Sequence, residues 1–197
     1  MNNLLIGTGT IIAIAVIAVV LLIAIIIVCW GIGARNGFVR LRNNYKETFS
    51  SIDIILKKRY DLIPNLVETV KGYAKHESET LEKVVSARNR AVSANTTAEK
   101  IEADANVSNA IRNMNIVAER YPDLKADRGF INLSGQLQHI ETELAEHRKY
   151  YNAKVKEYNI AREVFPKSII ANMMHLEEAP YFQLDSDVER QNVQVKF

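Results

Sequence analysis

From Ile11 to Val28 the chain is unbroken aliphatic sequence, and the apolar run reaches back to Leu4 and on to Trp30. About 20 apolar residues at about 1.5 Å rise each span a hydrocarbon core of about 30 Å, so residues 4–30 predict one membrane-spanning helix in contact with the lipid bilayer. A cleaved signal sequence is the rival reading. It requires a basic start, a shorter apolar stretch and a small-residue cleavage site. Here Met1-Asn2-Asn3 carries no cation, the run is too long, and bulky Val28 precedes Cys29. A retained anchor is therefore expected, with Trp30 placed as an interfacial aromatic.

Beyond the anchor the pattern changes to apolar residues at steps of three and four, the spacing of amphipathic helices. Gly31, Gly33 and Gly37 predict a loose neck. A first helix then carries Phe38, Leu41, Tyr45, Phe49, Ile52, Leu56, Ile63, Leu66, Val70 and Ala74. Pro64 removes one backbone donor and crowds the carbonyl of Tyr60, which predicts a kink or break. Lys75 to Thr80 lacks any apolar side chain and reads as a turn. A second helix follows from about Ser78 to Ala94, with Leu81, Val84, Val85, Arg88 and Val92 on one stripe. A third runs from about Ala98 to Arg120 and stops at Tyr121-Pro122, because proline biases the preceding residue away from helix. The fourth carries Leu133, Leu137, Ile140, Leu144, His147, Tyr151, Val155, Tyr158, Arg162 and Phe165, and ends at Pro166.

The first and fourth helices match in length and the two between are about half as long. This predicts an all-α fold, one N-terminal transmembrane helix followed by an antiparallel up-and-down four-helix bundle. The alternative joins residues 38–94 into one kinked helix, leaving Phe38 to Ile52 without a partner in the chain and driving self-association. The expected organisation is an anchor and Gly-rich neck over residues 1–34, a bundle over 35–176, and an extended tail over 177–197. Ile169, Ile170, Met173, Met174 and Leu176 form a short apolar patch that caps the bundle, contacts lipid or docks a partner. Val193 to Phe197 alternates like one short strand without a mate.

Charge adds orientation. Arg35, Arg40, Arg42 and Lys46 follow the span, no cation precedes it, and no acid comes before Glu47. The positive-inside rule then expects the N-terminus outside and the remainder in the cytoplasm. Net charge is +2, which gives no reason to expect a nucleic-acid partner. The single cysteine lies in the anchor, so no intrachain disulfide forms.

Candidate chemistry is sparse. His139, Glu143 and His147 fall at i, i+4 and i+8 on one helix face, a weak candidate for a metal that would need further ligands from elsewhere. His76-Glu77 opens like a zinc-peptidase helix, but Thr80 stands where the second histidine belongs. No phosphate-binding glycine loop or nucleophile elbow is present, so no catalytic residue, enzyme activity or cofactor is expected. Around Pro64 a polar face including Asp53, Lys57, Asp61, Asn65 and Glu68 reads either as solvated surface or as a recognition surface. The candidate partner-binding residues are Arg59, Asp61, Asn65 and Glu68 there, and Ile169, Ile170, Met173 and Met174 past Pro166.

Residues 59–77, RYDLIPNLVETVKGYAKHE, resemble the signature stretch of the LemA family. Further similarity lies in Leu41-Arg42-Asn43, Ile52-Asp53, residues 118–125, Tyr151-Asn152 with Tyr158-Asn159, Phe165-Pro166 and Pro180-Tyr181-Phe182. Phe49 stands where a tryptophan is usual, and Met174-His175-Leu176 replaces a Gly-Phe-type segment. The resemblance implies a bacterial inner-membrane protein with one N-terminal transmembrane helix, an antiparallel helical bundle and no established catalytic activity. It also implies an adaptor role beside other membrane proteins such as a membrane zinc peptidase, while the anchor, the apolar surfaces at Phe38–Ile52 and Ile169–Leu176 and the unmated terminal strand point to a scaffold or adaptor that binds another protein or itself. A metal- or ligand-responsive sensor hinged at Pro64 is the alternative.

Overall fold

The structure is a computed structural model that describes residues 2–182, with side chains from residue 10 onward. Six helices follow in order: α1 (Asn2–Tyr73), α2 (Ser78–Ser93), α3 (Thr97–Glu119), α4 (Pro122–Lys125), α5 (Arg128–Glu163) and α6 (Lys167–Met173). The described residues contain no strand. Contacts sort the chain into two units. One combines residues 1–44 with 157–178, and the other combines 45–156 with the residues from 179 onward. Val193 to Phe197, expected as a strand, lies outside the described residues.

In the first unit, the α1 segment from Thr10 to Trp30 is exposed along its length, and α1 is a helix long and apolar enough to cross a membrane. The expected loose neck is a correction: Gly31, Gly33 and Gly37 are helical. Each glycine costs a helix about 1 kcal/mol relative to alanine, but here a strongly apolar helix runs in from one side. From the other side, protein cover begins with Ala34 and Phe38, both buried. Phe38, expected to lack a partner under the one-helix alternative, therefore has one within its own chain. Tyr158 is buried in this unit and its hydroxyl donates to the Glu177 carbonyl at 3.0 Å.

α6 ends in a left-handed turn. His175 has φ 49°, its N–H donates to the Asn172 carbonyl and that of Leu176 to the Ala171 carbonyl, both at 3.1 Å. These are the paired bonds of a Schellman motif, whose left-handed position glycine usually fills. His175 thus occupies the place where the sequence departs from the Gly-Phe pattern.

The second unit buries Phe49, Ile52, Leu56, Ile63, Leu66 and Val70 of α1, a helix whose side chains and backbone bond to α2, α3 and α5, so Phe49 and Ile52 are covered as well. On α2 the buried face is Leu81, Val84, Ala87 and Ala91, while Val85 and Val92 are exposed. The turn expected near residues 75–80 is present between Tyr73 and Ser78. α3 opens with a capping box: the Glu99 N–H donates to Thr96 Oγ1, and the Thr96 N–H donates to Glu99 Oε2. Asp127 precedes α5 and accepts from the Phe130 N–H at 2.9 Å and from the Tyr73 hydroxyl at 3.0 Å.

Pro64 does not break α1, which continues nine residues past it to Tyr73. The carbonyl that proline leaves without its helical donor belongs to Tyr60. Arg88 of α2 supplies the missing donor, its Nε–H reaching that oxygen at 3.3 Å. The polar residue expected on the α2 apolar stripe is there to repair its neighbour's backbone.

Arg88→Met is expected to lower stability by about 1 kcal/mol, the worth of one hydrogen bond, in chemical denaturation of the solubilised protein. On a Pro64→Ala chain the same change costs less, because the new N–H at position 64 serves the Tyr60 carbonyl. A second expectation concerns pH. The Phe130 N–H, and next the Tyr73 hydroxyl, hold the Asp127 carboxyl below its ordinary value. Its stabilising contribution is present above the unfolded carboxylate range and is lost as pH falls through the folded value. Asp127→Asn keeps a capping oxygen that does not titrate, so the acid-side decline in melting temperature becomes shallower.

Candidate functional site

The second unit is organised around charges at core positions. Along α1 the buried residues Ile52, Leu56, Arg59, Ile63, Leu66 and Val70 step by four and three, so Arg59 holds a place in the apolar seam itself. Asp104 does the same on α3 ahead of Val107, Ile111 and Met114, and Arg148 on α5 between Leu144 and Tyr151. All three are buried, Asp104 to 1% exposure.

Their side chains close a ring with Glu141, one face of α5 earlier. Arg59 donates to Asp104 Oδ1 at 2.9 Å and forms an ion pair with Glu141 Oε2 at 2.7 Å. Arg148 donates to Glu141 Oε1 at 3.1 Å and to Asp104 Oδ2. Arg59 also reaches the Ser108 hydroxyl at 3.0 Å. Two guanidiniums and two carboxylates thus neutralise one another and join α1, α3 and α5. Burial pushes the Asp104 carboxyl above its ordinary value, and the guanidiniums of Arg148 and Arg59 pull against it.

The segment after residue 178 fastens onto α5 next to this ring. Asn152 pairs with Phe182 as a strand neighbour would, donating to its carbonyl and accepting from its N–H, both at 2.9 Å. The Tyr151 hydroxyl donates to the Pro180 carbonyl at 2.9 Å. Phe182 stacks on Phe49 with centroids 6.2 Å apart, meets Tyr151 edge-on at 5.5 Å, and has the Arg148 guanidinium over its ring at 5.5 Å. Three blocks of the family resemblance, at Arg59, Tyr151-Asn152 and Pro180–Phe182, therefore form one construction.

Two hollows lie on the same unit, the first beside the ring. One, of about 550 Å³, is lined by Arg59, Ser108, Phe130, Ser134, Leu137 and Glu141 among others, and the Ser134 hydroxyl within it is buried without a hydrogen-bond partner. The other is a groove of about 690 Å³ between α1 and α2, with Val67, Leu81 and Val85 on its apolar floor and Glu68, Lys71, Glu82 and Arg90 at its rim.

The sequence-predicted residues separate. Asp61, Asn65 and Glu68 are exposed, and Glu68 lines the groove. Arg59 is not on that face: at 100° per residue it points away from Asp61, and its charge is used inside the chain. Ile169 and Met173 are exposed, while Ile170 and Met174 are partly covered. Among the described residues no three His, Cys, Asp or Glu side chains gather to hold a metal. His139, Glu143 and His147 thus remain one helix face without a ligand from a second helix.

Asp104, Glu141 and Arg148 escaped the sequence reading. The signal was present in register: 137, 141, 144, 148, 151, 155 and 158 keep strict steps of four and three through α5, whereas the stripe through Ile140 and His147 does not. Treating charge as evidence of solvent hid it.

Asp104→Ala leaves two guanidiniums buried without their carboxylate, and removing one partner of a buried pair costs about 3–5 kcal/mol. Equilibrium denaturation is expected to show that loss, well above the change from a surface carboxylate such as Asp61→Ala.

The sequence model of the LemA family matches residues 48–197. Protein LemA of Metamycoplasma hominis is 26% identical over 165 residues, covering 82% of this chain and 74% of its own length. Magnetosome proteins MamQ 1 and MamQ 2 of Paramagnetospirillum magneticum are each 23% identical, covering 90% of this chain and 74% of theirs.

Proposed function

This chain belongs to the LemA family, and on that footing we propose that it is a membrane-anchored scaffold or adaptor without enzymatic activity. In this reading α1 crosses the inner membrane of a bacterial cell with its N-terminus outside. Helices α1, α2, α3 and α5 form an antiparallel up-and-down four-helix bundle on the cytoplasmic side. The bundle works by contact, with a partner protein or with a second copy of the chain.

The observation that carries this reading is the division of labour among polar groups. The Arg59, Asp104, Arg148 and Glu141 charges inside the second unit pair with one another in a ring that joins α1, α3 and α5. The α1–α2 groove, by contrast, has an apolar floor with charges of both signs at its edge, which suits the apolar face of an amphipathic segment. Glu68, one of the residues expected to bind a partner, stands on its rim.

A ligand-responsive sensor is the second reading, and one observation favours it: the 550 Å³ hollow beside the charge ring contains the unpartnered Ser134 hydroxyl. Its moving part would be the ring, since α1 carries on through Pro64.

The test is photo-crosslinking from position 85 of the full-length chain in its own membranes. Val85 is 40% exposed on the groove floor. Adducts at twice the 22.3 kDa chain mean self-assembly, and adducts of another mass mean an adaptor. Both should vanish on Leu81→Glu with helix content retained. A native mass of one chain and no adduct from position 85 defeats the reading.

A further inference from the structure

The first unit leaves an apolar surface that neither the anchor nor the bundle reading uses. Phe165 just ahead of α6 is 76% exposed, and Ile169 and Met173, one turn apart on α6, are 50% and 73% exposed. Phe165 was expected on the buried stripe of the fourth helix, but α5 ends at Glu163 and the ring points away from the chain.

The place of α6 along α1 decides what covers these side chains. Ile170 lies against Gly31, its Cδ1 3.8 Å from where a Cβ would stand. Lys167 shares a small cleft with Trp30, Gly33, Ala34 and Phe38. α6 therefore sits at the level where α1 changes surroundings. Up to Trp30 the described helix is apolar and exposed, and from Ala34 onward one face of it is buried. That change occupies about one helical turn, or about 5 Å.

We propose that α6 is a second membrane contact, an interfacial helix that lays Phe165, Ile169 and Met173 into the bilayer surface beside the point where α1 leaves the lipid. The proposal rests on α1 crossing the membrane. Trp30, at the same level, is the residue type favoured at the headgroup boundary. Arg35 and Lys167 are exposed nearby, where long cationic side chains reach the headgroups. Of the acids at this end, Glu163 and Glu178 share the Arg162 guanidinium, at 3.3 and 3.7 Å, and Glu177 is exposed, on the aqueous side of the proposed interface. A second copy of the chain is the lesser candidate. Three side chains are too small a patch for a stable protein interface, whereas they adjoin an exposed helix long and apolar enough to cross a membrane.

The experiment uses full-length protein in phosphatidylcholine–phosphatidylglycerol vesicles. Trp30, the one tryptophan, is changed to Phe, and Phe165→Trp supplies the reporter at an exposed position where folding is not at stake. Flotation with the vesicles reads the anchor separately. Emission is expected to be blue-shifted, to lose intensity in vesicles with brominated acyl chains, and to resist acrylamide. Quenching by acrylamide without quenching by brominated lipid overturns the proposal. Protection from both quenchers overturns it too, because the ring is then buried against protein.

Discussion

Three charges buried where a helical seam should be apolar, closed into a ring by the half-buried Glu141, govern the second unit of this protein. Asp104 cannot be buried alone. A carboxylate taken from water costs several kcal/mol unless it is paired and hydrogen-bonded, and both of its oxygens are taken by guanidiniums from different helices. Glu141 then supplies each arginine with a second partner. A seam of leucines tolerates sliding by a heptad, since one apolar layer resembles the next. A ring of alternating charges does not, because any shift of α1 against α3 or α5 strands a charge. The ring therefore sets register, while the surrounding apolar layers supply most of the stabilisation.

The same logic of repair governs the backbone. Pro64 withholds a donor from Tyr60, and Arg88 provides one from the neighbouring helix. The first turn of α3 is satisfied by Thr96 and Glu99, and that of α5 by Asp127. Residues 179–182 borrow the two-way hydrogen bonding of a strand from the Asn152 amide. In each case a side chain does for the backbone what a regular helix or sheet would have done. That explains how a chain with a proline inside its longest helix stays helical there.

Apolar surface is handled differently in the two units. Phe49, Ile52 and Leu56 are covered by helices of the same chain. The described aliphatic stretch from Ile11 to Val28 is exposed, and its composition matches hydrocarbon in length and character. Phe165, Ile169 and Met173 sit at the boundary between these regimes on the first unit. Their exposure is intelligible once the medium beside α1 is treated as part of the packing.

Much of this was readable in the residues alone, for reasons of periodicity and local chemistry. An eighteen-residue aliphatic run has one stable environment, steps of three and four announce helices, and Pro122 and Pro166 mark their interruptions; family resemblance followed from residues 59–77. Tertiary structure decided what periodicity leaves open. Whether Gly31, Gly33 and Gly37 loosen the chain depends on what packs around them, and here α1 passes through all three. Whether Pro64 breaks a helix depends on who serves the Tyr60 carbonyl, and only the fold brings Arg88 there. Whether Arg59 is a surface contact or a core brace depends on opposite charges 45 and more residues away. Sequence determines the local preference of each residue, but a buried charge or an orphaned carbonyl takes its meaning from a partner that only folding supplies.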